Sequence, residues 1–364
     1  TLNMKKMVLL FVALLFTMTL SAQDDTEVDF ALTFVPNIQF SPVYVAIEKG
    51  YFADEGIEIA LDYIDENVIV DLIAAEELTF GVVSGEQVVM ARSGRRPVVY
   101  VYEWFQQFPI AMVIPDTTDA TTIPELEGLT VGVPGRFGAT YSGLTALLNA
   151  NELTEMDIQL EEIGFTAPDI ICAGRVDAAA VYINNEPLQI QQRADAGECG
   201  DISSVTVIPV AEQADIVSNG IITSETAIIE QPELIASIIR AFHRGLQDAI
   251  NNPAEAYLIS EAYIEALPMN DDLRTALEAA ADAQEAFLTG EPTREEIAES
   301  RTALLGILAQ RFSADLLIQM QVLLATINLW DADQLGFTDP ASWETTRDIL
   351  TEMGTLINEV TLED

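Results

Sequence analysis

The chain has 364 residues, 49% of them hydrophobic and 21% charged, enough apolar material for about two packed domains and too much for bulk disorder. Its 59 acids outnumber 16 bases, giving a formal net charge of −43. Binding a polyanion requires cations that displace phosphate counterions, so nucleic acid is excluded as a partner. The excess of acid suits either a saline habitat or simple solubility.

At the N-terminus, Lys5-Lys6, the apolar run Val8–Phe16 and Leu20-Ser21-Ala22 follow the order of a secretory signal peptide over residues 1–22. A buried first helix is the alternative. No cysteine stands near the cleavage region to carry a lipid, and no later run approaches the ~18 apolar residues of a membrane span. Export is therefore expected, to the periplasm or the extracellular face of the cell membrane. Without the leader, Lys49 is the sole lysine. An oxidising compartment makes a Cys172–Cys199 disulfide reasonable, with two unpaired thiols as the alternative. Neither cysteine has a metal-ligand set around it, and no metal or cofactor is expected.

The elements then follow in order. Glu27–Val35 reads as a strand, Pro36–Phe40 as a loop, and Ser41-Pro42 as the opening of a helix that stops at Gly50. Ile57–Ile64 is the next strand, Val68–Ala75 a helix, Leu78–Val83 a strand, Ser84-Gly85-Glu86 a helix start, and Pro97–Trp104 a strand. A second run begins with the strand Leu129–Val133 and the turn Pro134–Thr140 into a helix reaching Leu148. It continues with the strand Asp157–Ile163, the helix Ala167–Ala173, the short strand Ala178–Tyr182, a helix opened by Asn184–Pro187, and the strand Ser204–Val210. Such alternation predicts α/β layers with largely parallel sheets. Asn219–Thr223 reads as a strand returning to the first sheet. Residues 225–364 are mostly helical, broken at Pro232, Pro253 and Pro268.

Four segments carry a resemblance: PNIQFSPVYVAIEKGYFADEGIEIALDY, GVVSGEQVVMARSGRRPVVYV, ELEGLTVGVPGRFGATYSGLTALL and GRVDAAAVYINNEP. Taken in order they resemble the solute-binding family of ABC importers that includes receptors for thiamine-pyrimidine precursors, riboflavin and sulfonates. The helical stretch PELIASIIRAFHRGLQDAINNPAEAY is similar too. The resemblance implies a two-lobed type II periplasmic-binding-protein-like fold with a helical C-terminal part. Lobe I would combine residues 28–114 and 218–364, and lobe II residues 115–217, with crossings near Ile114-Pro115 and Val210–Ser218. It also implies a monomer that hands its ligand to an importer's permease and ATPase.

Ligand should lie beyond the carboxyl ends of the strands, where loops enter helices. Four loops meet that condition. Asn37 and Gln39 follow the first strand, with Tyr44 one turn into the next helix; Ser84, Gly85 and Glu86 follow the third. Gly135–Thr140 either touches ligand or is simply a tight strand-to-helix turn. Glu186, in the run Tyr182-Ile183-Asn184-Asn185-Glu186-Pro187, matches the position where related receptors bind a heteroaromatic edge. Its plainer reading is an acid complementing a helix dipole. Tyr44, Trp104, Phe137, Tyr141 and Tyr182, with Gln107, Thr140, Asn184 and Asn185 beside them, could wall a planar ring, although at least two of the five aromatics should be core.

Within residues 116–219 the bases are Arg136, Arg175 and Arg193. So small a basic complement disfavours strongly anionic ligands. Within the resemblance, VYINNEP and GVVSGEQVV look closest to riboflavin and pyrimidine-precursor receptors, which ranks riboflavin first, a thiamine-type pyrimidine second and a sulfonate third. The fold also includes a thiamine-pyrimidine synthase that needs an active-site histidine and a cysteine-rich segment. Here the lone histidine, His243, lies in a helix far from the four loops, and HExxH, CxxC and GxSxG are absent. The expectation is a binding protein rather than an enzyme, with a sensor domain of the same fold as a third class.

Overall fold

A computed structural model describes residues 26–33 and 35–361. The signal-peptide segment 1–22 lies outside the described residues. Ten strands and fourteen helices are described, in two five-stranded sheets.

In the first sheet, β1 (Thr26–Leu32) pairs in parallel with β2 (Ile57–Tyr63) and β3 (Phe80–Ser84), and the connections are helical. Helix α1 (Ser41–Glu48) follows a 3-10 turn at Ile38–Phe40 that Asn37 caps by accepting the Gln39 N–H. The short α2 (Tyr51–Asp54) leads to β2, α3 (Glu66–Ala74) to β3, and α4 (Gly85–Ser93) to β4 (Val98–Glu103).

The second sheet holds β5 (Ile110–Pro115), β6 (Thr130–Val133), β7 (Gln159–Glu162), β8 (Ala178–Tyr182) and β9 (Val205–Pro209) in the order β7-β6-β8-β5-β9. Its helices are α5 (Gly138–Ala150), α6 (Ala167–Cys172) and α7 (Glu186–Asp195). The chain then returns to the first sheet as β10 (Asn219–Ser224), antiparallel between β3 and β4.

This corrects the expected first crossing. Ile114-Pro115 ends a fully buried central strand of the second sheet, so the chain crosses through residues 104–109 and returns through 210–218. A short apolar run with proline at each end does not announce a strand by periodicity, because both its faces are covered.

Period-two alternation divides the core of each lobe. Phe30, Leu32, Phe80 and Val82 face one way, while Ala31 and Val83 face the other, against Ile69 and Ile73 of α3. In the second sheet Met112, Ile114, Val131 and Val133 face one cluster and Val113, Ala179 and Val181 the opposite one.

Helices α8 (Glu225–Glu230), α9 (Pro232–Asn251), α10 (Pro253–Ser260), α11 (Asp271–Leu288), α12 (Arg294–Ala309) and α13 (Ala314–Trp330) follow β10. Residues of α9, α10 and α13 complete the larger first-lobe core, Phe242, Tyr257 and Trp330 among them. The last helix, α14 (Pro340–Glu352), bridges the lobes: Trp343 packs on a first-lobe cluster and Ile349 on a second-lobe one.

A disulfide joins Cys172, at the end of α6, to the buried Cys199. Closing 27 residues of chain removes about 3 kcal/mol of unfolded-state entropy. Replacing both cysteines by alanine should lower stability by about that amount in urea unfolding. An unchanged midpoint would show that the bridge contributes nothing.

Candidate functional site

The two sheets point the carboxyl ends of several strands at one another, and a cavity lies between them. From the first lobe it is lined by Thr33 after β1, Gln39 and Phe40 before α1, Asp65 and Glu66 after β2, Val82, Phe105 and Asn219. From the second come Pro134 and Phe137–Thr140 at the start of α5, Gly164 to Ala167 after β7, Ala180–Tyr182 of β8, and Asn185 and Glu186 opening α7. Asp65, Glu66 and Glu186 are the acids of this lining, and it contains no lysine, arginine or histidine.

Of the residues singled out in the sequence, Gln39, Phe137, Thr140, Tyr182, Asn185 and Glu186 meet in the cavity. Glu186 sits at the first turn of α7, where its carboxylate accepts the Tyr182 N–H (2.9 Å) and an Asn185 side-chain N–H (3.1 Å). Asn185 is fixed in turn by Gln189 (2.7 Å). Gly138 supplies the left-handed φ of 67° that opens α5, and a Cβ there would fall 3.1 Å from Glu66 Oε2.

The others take different places. Asn37 caps the 3-10 turn. Tyr44 is fully buried in the first lobe, stacked on Tyr263 at 4.2 Å and bonded to the Tyr63 hydroxyl. Trp104 is core, packed edge-on against Phe242 and beside Trp330. Tyr141 donates to Glu155 (2.7 Å), and Gln107 faces a separate cavity behind the crossings. Ser84, Gly85 and Glu86 lie behind the cavity wall, not in it. Asn184 bonds across the lobes, donating to Gln39 Oε1 (2.9 Å) and to Thr326 Oγ1 of α13 (2.7 Å).

Sequence reasoning passed over Phe40, Phe105, Glu66 and Asn219. Phe105 neighbours the chosen Trp104, but β4 ends at Glu103 and the turn out of it buries the tryptophan. Helix α3 starts two residues earlier than predicted, which brings Glu66 out of the loop and into its first turn. An acid there reads as a dipole complement, so its burial was the missing signal.

Burial dominates the titration of the site. It pushes Glu186 up to about 7 and Glu66 to about 8, Glu66 with the added repulsion of Glu86. The Tyr182 hydroxyl is held well above its ordinary value for the same reason. The cleft can therefore offer neutral or weakly charged hydrogen-bonding groups between aromatic walls, and no cation to pair with an anion.

Two α/β lobes joined by crossing segments, with a buried cleft between them, define the two-lobed periplasmic-binding-protein class. The alkanesulfonate-binding protein SsuA of Xanthomonas axonopodis pv. citri, solved with MOPS, superposes with a TM-score of 0.53 at 13% identity, over 77% of this chain and 99% of that one. Residues 37–256 match the family described as NMT1/THI5 like, and the chain belongs to that family. Among its relatives, the riboflavin-binding protein RibY of Chloroflexus aurantiacus is 37% identical over 67% of this chain and 68% of its own. A formylaminopyrimidine-binding protein of Halalkalibacterium halodurans is 29% identical over 69% and 76%.

A carboxyl whose pKa is raised by folding costs nothing below its unfolded value of 4.5. It destabilises the fold increasingly as pH climbs from there to about 7, because the unfolded chain gives up its proton first. Glu186→Gln should therefore leave the unfolding free energy near pH 4.5 almost unchanged and raise it at pH 8 by about 1–2 kcal/mol, read from urea unfolding at the two pH values. The same difference from wild type at both pH values would refute this account of Glu186.

Proposed function

We propose that the chain is the extracytoplasmic solute-binding component of an ABC-type importer, holding a neutral planar heteroaromatic, riboflavin first, between its lobes. The observation that carries this reading is the cleft itself. Phe40, Phe105, Phe137 and Tyr182 supply flat apolar walls, and Glu186, Asn185 and Gln39 supply directional hydrogen bonds. A carboxylate held by its own neighbours can accept the single ring N–H of a flavin's pyrimidine edge, whose flanking carbonyls suit amide donors, or the exocyclic amine N–H of an aminopyrimidine. The 37% identical riboflavin-binding relative supports riboflavin over other rings. The formylaminopyrimidine-binding relative keeps a pyrimidine precursor as the second reading.

The lack of a basic side chain in the cleft lining argues against sulfonates and phosphate esters as ligands. His243 bonds the Tyr102 hydroxyl at 2.8 Å and does not line the cleft, which weighs against histidine-based catalysis there. Among the described residues no helix is long and apolar enough to cross a membrane. A permease with its ATPase is the partner this role requires, and export the corresponding localisation.

Riboflavin fluorescence should be quenched on titration with the purified protein, and riboflavin 5′-phosphate should bind at least about a hundredfold more weakly, since its phosphate finds no cation. At pH 8, where Glu186 is ionised, Glu186→Gln should weaken riboflavin about 10–100-fold through the loss of a charge-assisted hydrogen bond. No quenching by riboflavin, with saturable binding of an aminopyrimidine by calorimetry, would move the assignment to the second reading. Equal affinity for the phosphorylated and free forms would overturn the argument from charge.

A further inference from the structure

Reaching back from Glu66 in the cleft wall is a buried cluster that the proposed ligand contacts do not use. The carboxyl groups of Glu66 and Glu86, both buried, flank the hydroxyl of Ser84, which stands 3.1 Å from Glu66 Oε2 and 2.5 Å from Glu86 Oε1. A hydroxyl has one proton and can donate to only one of them. With both carboxyls ionised the other contact would set lone pair against lone pair, so the arrangement is satisfied when the pair holds one proton.

Both carboxyls have further donors, so the proton belongs to the pair. Glu66 faces Ser84, the Asn219 side chain (3.3 Å) and the backbone N–H of Ala139. Glu86 faces Ser84, the Gln87 side chain (3.3 Å) and Ser142.

The trio also spans the lobes. Ser84, Glu66 and Glu86 belong to the first lobe, whereas Ala139 and Ser142, whose hydroxyl faces Glu86, belong to the first turns of α5 in the second. Seating α5 against the first lobe therefore removes both carboxyl groups from water. With both ionised, two like charges would share one low-dielectric site without a cation, and separation of the lobes would relieve them.

We propose that Glu66, Ser84 and Glu86 form a proton-dependent latch: one shared proton lets α5 seat and the cleft close, and loss of that proton favours the open form. Closing then takes up a proton, so its equilibrium constant falls as pH rises toward the closed pair's titration, and levels off once the closed form too is deprotonated. Burial and mutual repulsion place the upper end of that window near 8, from the raised pKa of Glu66.

Other groups face the pair. Tyr182 of β8 and Tyr100 of β4 are both raised by burial, Asp65 adjoins Glu66, and Glu186 lines the same cleft. The cations on the elements packed nearby are paired elsewhere, Arg92 with Glu225 and Arg347 with Asp348. Glu186 and Glu103, the latter buried beside the Ser218 crossing and also raised to about 7, are the groups whose titration could imitate the latch.

The test measures closure without ligand. Spin labels at Met156→Cys in the second lobe and Ile229→Cys in the first, both strongly exposed, report the interlobe distance. The short-distance population should dominate at pH 6 and shrink severalfold by pH 8.5, whereas Glu86→Gln should hold it constant. Ser84→Ala, which breaks the link between the carboxyls, is a second variant and should also lose the response.

In parallel, the riboflavin Kd of the wild type should rise by up to about tenfold per pH unit below 8 and then flatten. A distance distribution that ignores pH, or one that responds equally in Glu86→Gln, overturns the latch; the latter result assigns the effect to Glu186 or Glu103. This second arm rests on the ligand reading above. If riboflavin binds at no pH, that reading alone fails, and the distance measurement still decides the latch.

Discussion

One carbonyl oxygen organises the molecule. Asn219 O accepts the backbone N–H groups of both Trp104 (3.0 Å) and Phe105 (2.9 Å), tying the outgoing crossing to the returning one at the first residue of β10. The Ser218 hydroxyl adds a bond to Gln107 O, and the Gly85 N–H reaches Ser218 O (2.9 Å). These bonds demand close approach: a Cβ at Gly220 would fall 2.2 Å from the Tyr100 ring, so only glycine lets β10 enter between β3 and β4. With the crossings joined, the lobes have a short hydrogen-bonded ribbon to pivot on, and everything that lines the cleft is placed relative to it. Helix α14 reinforces the ribbon from behind, where Thr346 Oγ1 accepts the Val217 N–H (2.8 Å).

The charge of the chain is sorted by this arrangement. Cations are spent on outward pairs, as where Arg136, beside the cleft in sequence, turns to Glu155 and Glu162, or Lys49 to Asp248 and Glu255. Exposed pairs of this kind add little stability, but they leave the cleft without a basic group. Two of its acids, Glu66 and Glu186, are enclosed, and enclosure moves these two toward neutrality at ordinary pH. A chain with a net charge of −43 thus presents its proposed ligand with a cleft that carries much less charge than its surface.

Most elements were legible because their boundaries have local causes: Pro42 inside the first turn of α1, Gly50 after its end, and the alternation through β1 and β3. Glu186 was legible by resemblance and its position confirmed nothing beyond the loop it occupies until its partners were seen. What could not be read was orientation. Tyr44 and Trp104 have the same composition signal as Phe40 and Phe105, yet the first two are core and the latter two line the cleft. The difference comes from where a helix or strand ends by one residue, and such boundaries are set by tertiary contacts. Strand β5 was hidden for a related reason, since a strand covered on both faces has no alternation to show.

The lobes meet through apolar packing, Ile183 and Leu188 against the first-lobe core and α14 against both, and through a set of polar contacts. Asn184 spans the cleft to Gln39 and Thr326 with neutral hydrogen bonds, and α5 meets Glu66 and Glu86 through one N–H and one hydroxyl. Neutral bonds of this type contribute about 1 kcal/mol each, so these polar contacts by themselves would leave closure without ligand a shallow equilibrium. A shallow equilibrium is what a receptor of the proposed kind requires, because each kcal/mol invested in closure without ligand is unavailable for sensing whether the ligand is there. It also makes one buried proton matter: against a closure energy of that size, two ionised carboxyls at the same interface are enough to change which form prevails.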